Sequence, residues 1–280
     1  MFVIPIRTLT REFRLLTDCR QAARTFAYVE ARPEISTAAV TPVELVVERS
    51  HGFYRLALPD GSVVEGTAIH LLDIVHRLIF THLDEEAPGA PLIHAASVHV
   101  GDVPILLIGA KASGKTTLVL HLLAKGHVVE GDEHVVVYEP DLFARPRTLR
   151  VKAGSLAFAP ALAAQIRRAP SILDWNGCPI YAVSPSIGGR PWRIWAMRAR
   201  HLVFLEPNHG GHTAAKPIST DHAFGLLMAR CLLPNAGRAQ AAARLRRVAR
   251  EAQSWEMSLG DLSGAERHLL AIAGMGKTIQ

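Results

Sequence analysis

Apolar and polar residues change rhythm along the chain. Val43-Glu-Leu-Val-Val-Glu48 and Gly52-Phe-Tyr-Arg-Leu-Ala-Leu58 read as strands, and Pro59-Asp-Gly61 supplies a turn. From Ala68 to Leu83 the apolar residues Leu71, Leu72, Val75, Leu78, Ile79 and Leu83 recur at helical spacing. Asp84-Glu-Glu-Ala-Pro-Gly-Ala-Pro91 then reads as a linker. Beyond it, short apolar runs alternate with helical patterns, the signature of an α/β core. Strands are expected at Leu92–Val100, Val103–Ile108, Val128–Tyr138, Leu149–Lys152, His201–Leu205 and Ser254–Leu259. Helices are expected over Thr116–Lys125, with Gly126 as C-terminal cap, and over 160–168, 221–232, 236–252 and 265–273.

Composition narrows the class. With 280 residues, 49% hydrophobic and 20% charged, the chain is globular rather than disordered. Its longest apolar run, Val103 to Ala110, is far short of the ~20 residues that span a bilayer. The N-terminal residues lack the pattern of a signal peptide, so a soluble, cytoplasmic protein is expected, with no membrane partner. Cys19, Cys178 and Cys231 are too few and scattered for a disulfide framework or a zinc pattern. Charge is uneven: residues 1–110 hold 9 Lys/Arg and 13 Asp/Glu (−4), residues 111–280 hold 22 and 12 (+10). The basic half suits an anionic ligand or partner, or is simply an Arg-rich surface.

The sharpest chemistry lies at Gly109-Ala-Lys-Ala-Ser-Gly114-Lys115-Thr116, which matches G-x-x-x-x-G-K-[ST]. A predicted strand runs into it and a predicted helix opens behind it, so the loop can curl its amides around phosphate at a helix N-terminus. Gly109, Ala110, Lys111, Ala112, Ser113, Gly114, Lys115, Thr116 and Thr117 are the candidate nucleotide contacts. Lys115 would reach the β- and γ-phosphates, and the Thr116 hydroxyl would ligate Mg²⁺. Gly274-Met-Gly276-Lys277-Thr278 repeats part of this string, but Ala271 stands where its first glycine belongs, and it reads as a frayed tail.

Seventeen residues after Lys115 comes Gly131-Asp132-Glu133, inside the run expected as the strand Val128–Tyr138. Two adjacent carboxylates are costly to bury unless they meet a metal, a cation or a proton. A polar bulge or turn pivoting on Gly131 is the alternative. Glu206, ending Leu202-Val-Phe-Leu-Glu206, is either a second Mg²⁺-linked acid or a strand end before Pro207. Arg147 and Lys152 either neutralise a transferring phosphate or decorate a solvated strand. The arginines between Arg238 and Arg250 most simply form a solvated helix face.

Here the chain resembles the HPr kinase/phosphorylase family. That family has a His near the start of its core, a P-loop fifteen residues on, a helix, a Gly-His pair and two acids. This sequence shows His94, Gly109, Gly126-His127 and Asp132-Glu133 in that order. Weaker echoes are Arg145-Pro-Arg-Thr-Leu-Arg-Val-Lys152, Lys216-Pro-Ile-Ser219 and Trp255-Glu-Met-Ser-Leu-Gly-Asp-Leu262. The resemblance implies an α/β P-loop kinase core of the HPr kinase C-terminal-domain type over 87–280, preceded by a small mixed α+β module over 1–86. It implies that Asp132 takes the proton from an acceptor serine, with His94, Lys115 and Lys152 as further catalytic residues and Thr116 and Glu133 on the metal. ATP or another nucleoside triphosphate and Mg²⁺ follow as cofactors. The expected partner is a small protein or peptide carrying the serine; modifiers of ribosomally made peptides, such as lasso-peptide precursor kinases, share this pattern. Nucleic acid is a less favoured partner, for want of an aromatic-basic array, and homo-oligomerisation stays open.

The departures also matter. Glu133 replaces the family's second Asp, the Glu-Ile-Arg-Gly signature and the Arg-Pro-Gly-Arg loop have no counterpart, and residues 1–85 do not resemble the family's N-terminal domain. A bifunctional kinase/phosphorylase is therefore the lesser alternative. So is a catalytically silent nucleotide-binding regulator, against which the acid pair beside the P-loop argues.

Overall fold

The computed structural model describes residues 1–35, 41–86, 89–234 and 237–275, excepting the side chains of 80–86. The N-terminal part runs β1 (Phe2–Arg7), β2 (Glu12–Thr17), α1 (Arg20–Phe26), a 3-10 turn (Ala27–Val29), β3 (Glu34–Ile35), β4 (Val43–Ser50), β5 (Phe53–Ala57), β6 (Val63–Gly66) and α2 (Ala68–Glu86). Its sheet has the order β1-β2-β4-β5-β6. Alternate residues face inward, so Phe13 and Leu15, Leu45 and Val47, and Leu56 form one apolar face. That face joins Phe26 of α1 and Leu71, Leu72 and Val75 of α2 in one core, which also takes in Leu92, Val136 and Trp192 from the later chain.

The second part opens with β7 (Leu92–Ile93), β8 (Ala95–Val100), β9 (Val103–Gly109) and α3 (Lys115–Ala124). It continues through β10 (Val128–Gly131), β11 (Val135–Tyr138), β12 (Asp141–Ala144), β13 (Leu149–Lys152), a 3-10 stretch (Ala153–Phe158), α4 (Pro160–Ile166), β14 (Ser171–Leu173), β15 (Pro179–Val183) and β16 (Arg193–Ile194). It closes with β17 (His201–Pro207), β18 (Ala214–Pro217), α5 (Thr220–Ala229), β19 (Cys231–Leu232), α6 (Arg238–Glu251), β20 (Gln253–Leu259) and α7 (Leu262–Ile272).

The central sheet has the order β10-β8-β9-β17-β20-β18, with β9, β17 and β20 parallel. Helices cover both of its faces. Ile105 and Leu107 of β9 pack with α3, α4 and α7, whereas Leu106 and Ile108 pack with α5 and α6. A strand buried on both faces must be apolar at successive positions, which is why Val103–Ile108 reads as an unbroken run. The architecture is mixed α/β with several sheets. No helix among the described residues is long and apolar enough to cross a membrane.

Two expected strands are not continuous. Leu92–Val100 breaks at His94 into β7 and β8, and Val128–Tyr138 breaks at Asp132–His134 into β10 and β11. On one side of the breaks β8 pairs with β10 in the central sheet; on the other, β7 pairs with β11 in a sheet of order β12-β11-β7-β19. The two strands thus pass together from one sheet to another, and the residues at the crossing leave the ladder. Asp132 and Glu133 lie in a bend, not in a strand. β1, β2, β3, β6, β12, β14, β15, β16, β18, β19 and α1 are additions to the elements expected from sequence, and the helix expected over 221–232 ends at Ala229, with Cys231–Leu232 in β19. The helix expected to end at Leu83 continues to Glu86, residues 87 and 88 of the expected linker lie outside the described residues, and so do 276–280 of the tail.

Along α6, Ala241, Leu245 and Ala249 face the core; Arg244 is largely covered and donates to Gly89 O at 3.1 Å, whereas Arg246 and Arg247 lie at the surface. Arg247 donates to Glu139 at 2.8 Å and to Glu251 at 2.6 Å, and Arg246 lies 3.4 Å from Asp221. These contacts fit a solvated, salt-bridged face.

Candidate functional site

The site forms where β9 ends and α3 begins. Between them Ala112 (φ +67°) and Gly114 (φ +87°) adopt left-handed backbone, turning the chain sharply. Gly114 permits this at no cost, whereas Ala112 is strained, as residues at ligand-binding turns often are. A Cβ at Gly109 would run into Ser113 Oγ, so any other residue there would have to displace the Ser113 side chain. Ser113 Oγ is itself buried without a hydrogen-bond partner. Lys115, the first residue of α3, is buried and donates to Gly109 O at 3.2 Å. Burial lowers its pKa, against the pull of Asp132 and Glu133.

A cleft of about 550 Å³ opens over this turn. Of the site residues singled out from the sequence, all but Gly109 and Glu206 line it; Gly109 is the acceptor of the Lys115 hydrogen bond. His94, Lys115, Asp132, Glu133 and Lys152, which span 58 positions of sequence, meet here. Glu206 does not line the cleft; its side chain is 58% exposed, 4.0 Å from Arg230. His127, just after α3, lies 3.5 Å from Glu266 of α7.

The acids at the bend have separate partners. Thr116 Oγ1 donates to Asp132 Oδ2 at 2.9 Å. Asp132 is buried, and desolvation, helped by Glu133, raises its pKa to about 6 despite the Thr116 hydrogen bond and Lys115. Glu133 is bound by the Arg147 guanidinium. Burial alone would raise its pKa, but Arg147, His134 and Arg145 together hold it below the ordinary value. Burial, reinforced by Lys115, lowers the pKa of His94, which is neutral at pH 7; its ring centroid lies 5.8 Å from that of His134.

A bulge aims Asp132 at the turn. β10 pairs with β8 through Val129↔Val98 and Gly131↔Ser97, leaving Glu130 as the extra residue. Glu130 is fully buried. Its carboxylate accepts from Ser97 Oγ (2.7 Å) and the Trp195 N–H (3.3 Å), lies 3.3 Å from His99 Nε2, and its carbonyl accepts from Trp192 Nε1 at 2.8 Å. Two residues before the acid pair, the chain is pinned from three directions.

Sequence reasoning did not find Arg150, Tyr28, Ser155, Ile180 or His209 in the lining. Arg150 Nη1 donates to Tyr28 O at 2.7 Å, and its guanidinium sits 3.8 Å above the Tyr28 ring. The alternation Arg150-Val151-Lys152 on one strand was the available signal, since it puts two cations on one face.

No family model matches the chain, and no curated protein does. Among solved structures it is similar to an HPr(Ser) kinase/phosphatase from Coxiella burnetii, with 11% identity and a TM-score of 0.30 over 65% of this chain and 93% of that one.

Proposed function

We propose that the chain transfers the γ-phosphoryl group of a nucleoside triphosphate, ATP by preference, to a serine hydroxyl of a small protein or peptide. One observation carries this reading: a carboxylate with a pKa of about 6, Asp132, stands 2.9 Å from the hydroxyl that follows Lys115, in a cleft floored by the glycine turn. A general base works best when its pKa lies near the working pH. Above pH ~6 Asp132 is ionised and can accept the serine proton as the hydroxyl oxygen attacks the γ-phosphorus. The bond from that phosphorus to the β-bridging oxygen breaks, and the nucleoside diphosphate leaves.

The residues present suit nucleotide phosphates and Mg²⁺. The turn leaves no room for a Cβ at Gly109 unless the Ser113 side chain moves, and Ser113 Oγ has no partner of its own. Thr116 and Glu133 offer hard oxygen donors in the same cleft, the ligands Mg²⁺ prefers. When bound, the ion would neutralise charge on the phosphates; Thr116 would hold it, with Glu133 beside it. Lys115 and the loop amides hold the phosphates, and neutral His94 can share a hydrogen bond with the γ-phosphoryl oxygens. Positioning and electrostatics do most of the work in such a reaction.

The test is incubation with γ-labelled ATP, Mg²⁺ and serine-bearing peptides, followed by a chase with excess phosphate. Label transferred to serine, with little pyrophosphate formed, is expected. Tight nucleotide binding with no transfer to any hydroxyl would establish the silent regulator instead. Rapid pyrophosphate release would establish the bifunctional enzyme.

A further inference from the structure

The lining of the cleft also carries a cation that the phosphoryl-transfer chemistry has not used. Arg150 lies on β13, half-buried, and no carboxylate stands within ion-pair distance of it among the described residues. Its neighbour Arg147 is paired with Glu133, whereas Arg150 has no such contact among the described residues. Burial, with Arg147 beside it, lowers its pKa to about 10, so it remains charged at neutral pH. A half-buried guanidinium without a carboxylate in direct contact is costly, and sites built for a charged ligand are where such a charge is tolerated.

Arg150 is also held in place. Nη1 is committed to Tyr28 O, the guanidinium plane rests on the Tyr28 ring, and Nε is buried with no partner. The remaining donors of a fixed, planar fork suit a carboxylate or phosphate. Lys152, two residues on along the same strand face, adds a second cation at the exposed rim of the same cleft. Lys115, the first residue of α3, and Arg150, on β13, line the same cleft as Asp132. The base thus shares a confined space with one cation at the phosphate turn and another on β13. A hydroxyl that reaches Asp132 in this cleft can present its neighbouring groups to Arg150.

We infer that Arg150, clamped by Tyr28 and assisted by Lys152, is an acceptor-recognition site that takes an anionic group, carboxylate or phosphate, carried close to the acceptor hydroxyl. This rests on the phosphoryl-transfer reading for the word acceptor, but the anion site is tested by binding alone. The anionic group can belong to an acidic peptide segment or to a free hydroxy acid.

The experiment titrates Mg²⁺·ADP-loaded protein by calorimetry with an Asp-Ser-Asp peptide, its Asn-Ser-Asn counterpart, and free L-glycerate and glycerol. Charge-assisted hydrogen bonds to a guanidinium predict that an acid-bearing probe binds ~10- to 100-fold tighter than its neutral counterpart, and that Arg150→Gln cuts the difference to under ~3-fold. ADP affinity should stay within about twofold, because that substitution leaves the glycine turn untouched. Arg150→Lys, which keeps the charge but loses the fork, should fall between. A thermal melt of both variants shows whether the fold survives, and Arg150→Lys carries the test if Arg150→Gln does not fold. An Arg150-dependent preference seen with the peptides places the anion on a peptide; one seen only with glycerate places it on a small hydroxy acid. Equal binding of acid and neutral probes by the wild type would overturn the inference. So would a preference that survives both substitutions, or a loss of ADP affinity as large as the loss of the acidic probe. Absence of phosphoryl transfer with the Arg150-dependent preference intact would count against the kinase reading and leave the anion site standing.

Discussion

One part of the cleft's wall is a single run of chain from Ala110 to Thr117; a second draws Tyr28, Arg150, Lys152 and Ile180 from three separate elements. On the first wall, geometry follows from local backbone, a glycine close against Ser113 and two left-handed residues ahead of a helix. On the second it depends on tertiary packing, since the Tyr28–Arg150 contact joins positions 122 residues apart. The local wall suits a ligand part shared by many proteins, the nucleotide phosphates. The assembled wall can vary without disturbing the first, and so is suited to selecting an acceptor.

Asp132 shares the cleft with both walls and should show the largest effects. Asp132→Asn keeps the hydrogen bond from Thr116 but cannot accept a proton. Turnover is expected to fall ~10²–10⁴-fold, with nucleotide affinity within a few-fold of wild type. The wild-type rate should fall as pH drops through about 6, where the carboxylate protonates. A pH–rate profile of the two proteins checks both.

The same group should set a stability trade-off. Its pKa is raised from 3.8 to about 6 in the fold, so the folded state holds the proton more tightly than the unfolded chain. Stability from this group is full below pH ~4 and is lost as pH rises through about 6, to a maximum of about 3 kcal/mol above it. Asp132→Asn is therefore expected to raise the melting temperature at pH 8 and to change it little at pH 4. Equal shifts at both pH values would mean that the charge is not the cause.

Lys115→Ala isolates the local wall. It removes a charge-assisted contact to phosphate, worth about 1.5–3 kcal/mol, or a roughly ten- to hundredfold loss of nucleotide affinity by calorimetry. The acid-over-neutral preference for acceptor probes should survive it, because that preference is assigned to the other wall. Loss of both together would mean that the two walls do not act separately.

How legible each wall was in the sequence follows from the same difference. The run Val103–Thr116 carries its strand, loop and helix in contiguous residues, and its motif could be read directly. His94 and the acid pair were found as well, but their setting was misread. Apolar residues flank both breaks, and no periodicity shows that a strand changes sheet halfway. β1 was hidden because Pro5 argues against a strand; it is tolerated there because β1 is at the sheet edge. Arg150 had no local signal that distinguished it from Arg147 or Lys152. Only the fold shows that Arg147 has a carboxylate and Arg150 does not.

Glu130→Ala probes what holds the bend. It strips the acceptor from Ser97 Oγ and the Trp195 N–H, groups left buried or half-buried. Leaving such donors unsatisfied costs about 1–3 kcal/mol, read as a lower denaturation midpoint. If the bulge serves to aim Asp132, Glu130→Gln, which restores an acceptor, should recover most of the turnover lost in Glu130→Ala. A rescue of stability without turnover would limit Glu130 to folding.

The smallest expected effect tests whether the N-terminal part helps build the assembled wall. Tyr28→Phe and Tyr28→Leu differ in one respect that matters: only phenylalanine keeps a π face beneath the Arg150 guanidinium. A cation over an aromatic ring contributes about 0.5–2 kcal/mol, more as the pair is desolvated. The hydrogen bond from Arg150 goes to the Tyr28 backbone carbonyl, which neither substitution removes. Tyr28→Phe should therefore bind acidic acceptor probes like wild type. Tyr28→Leu should bind them about two- to tenfold more weakly while leaving ADP affinity unchanged. The pairing matters because Tyr28→Leu alone could act by loosening the core around the 3-10 turn. Such loosening would lower the melting temperature and weaken acidic and neutral probes alike, whereas loss of the ring beneath Arg150 weakens only the acidic ones.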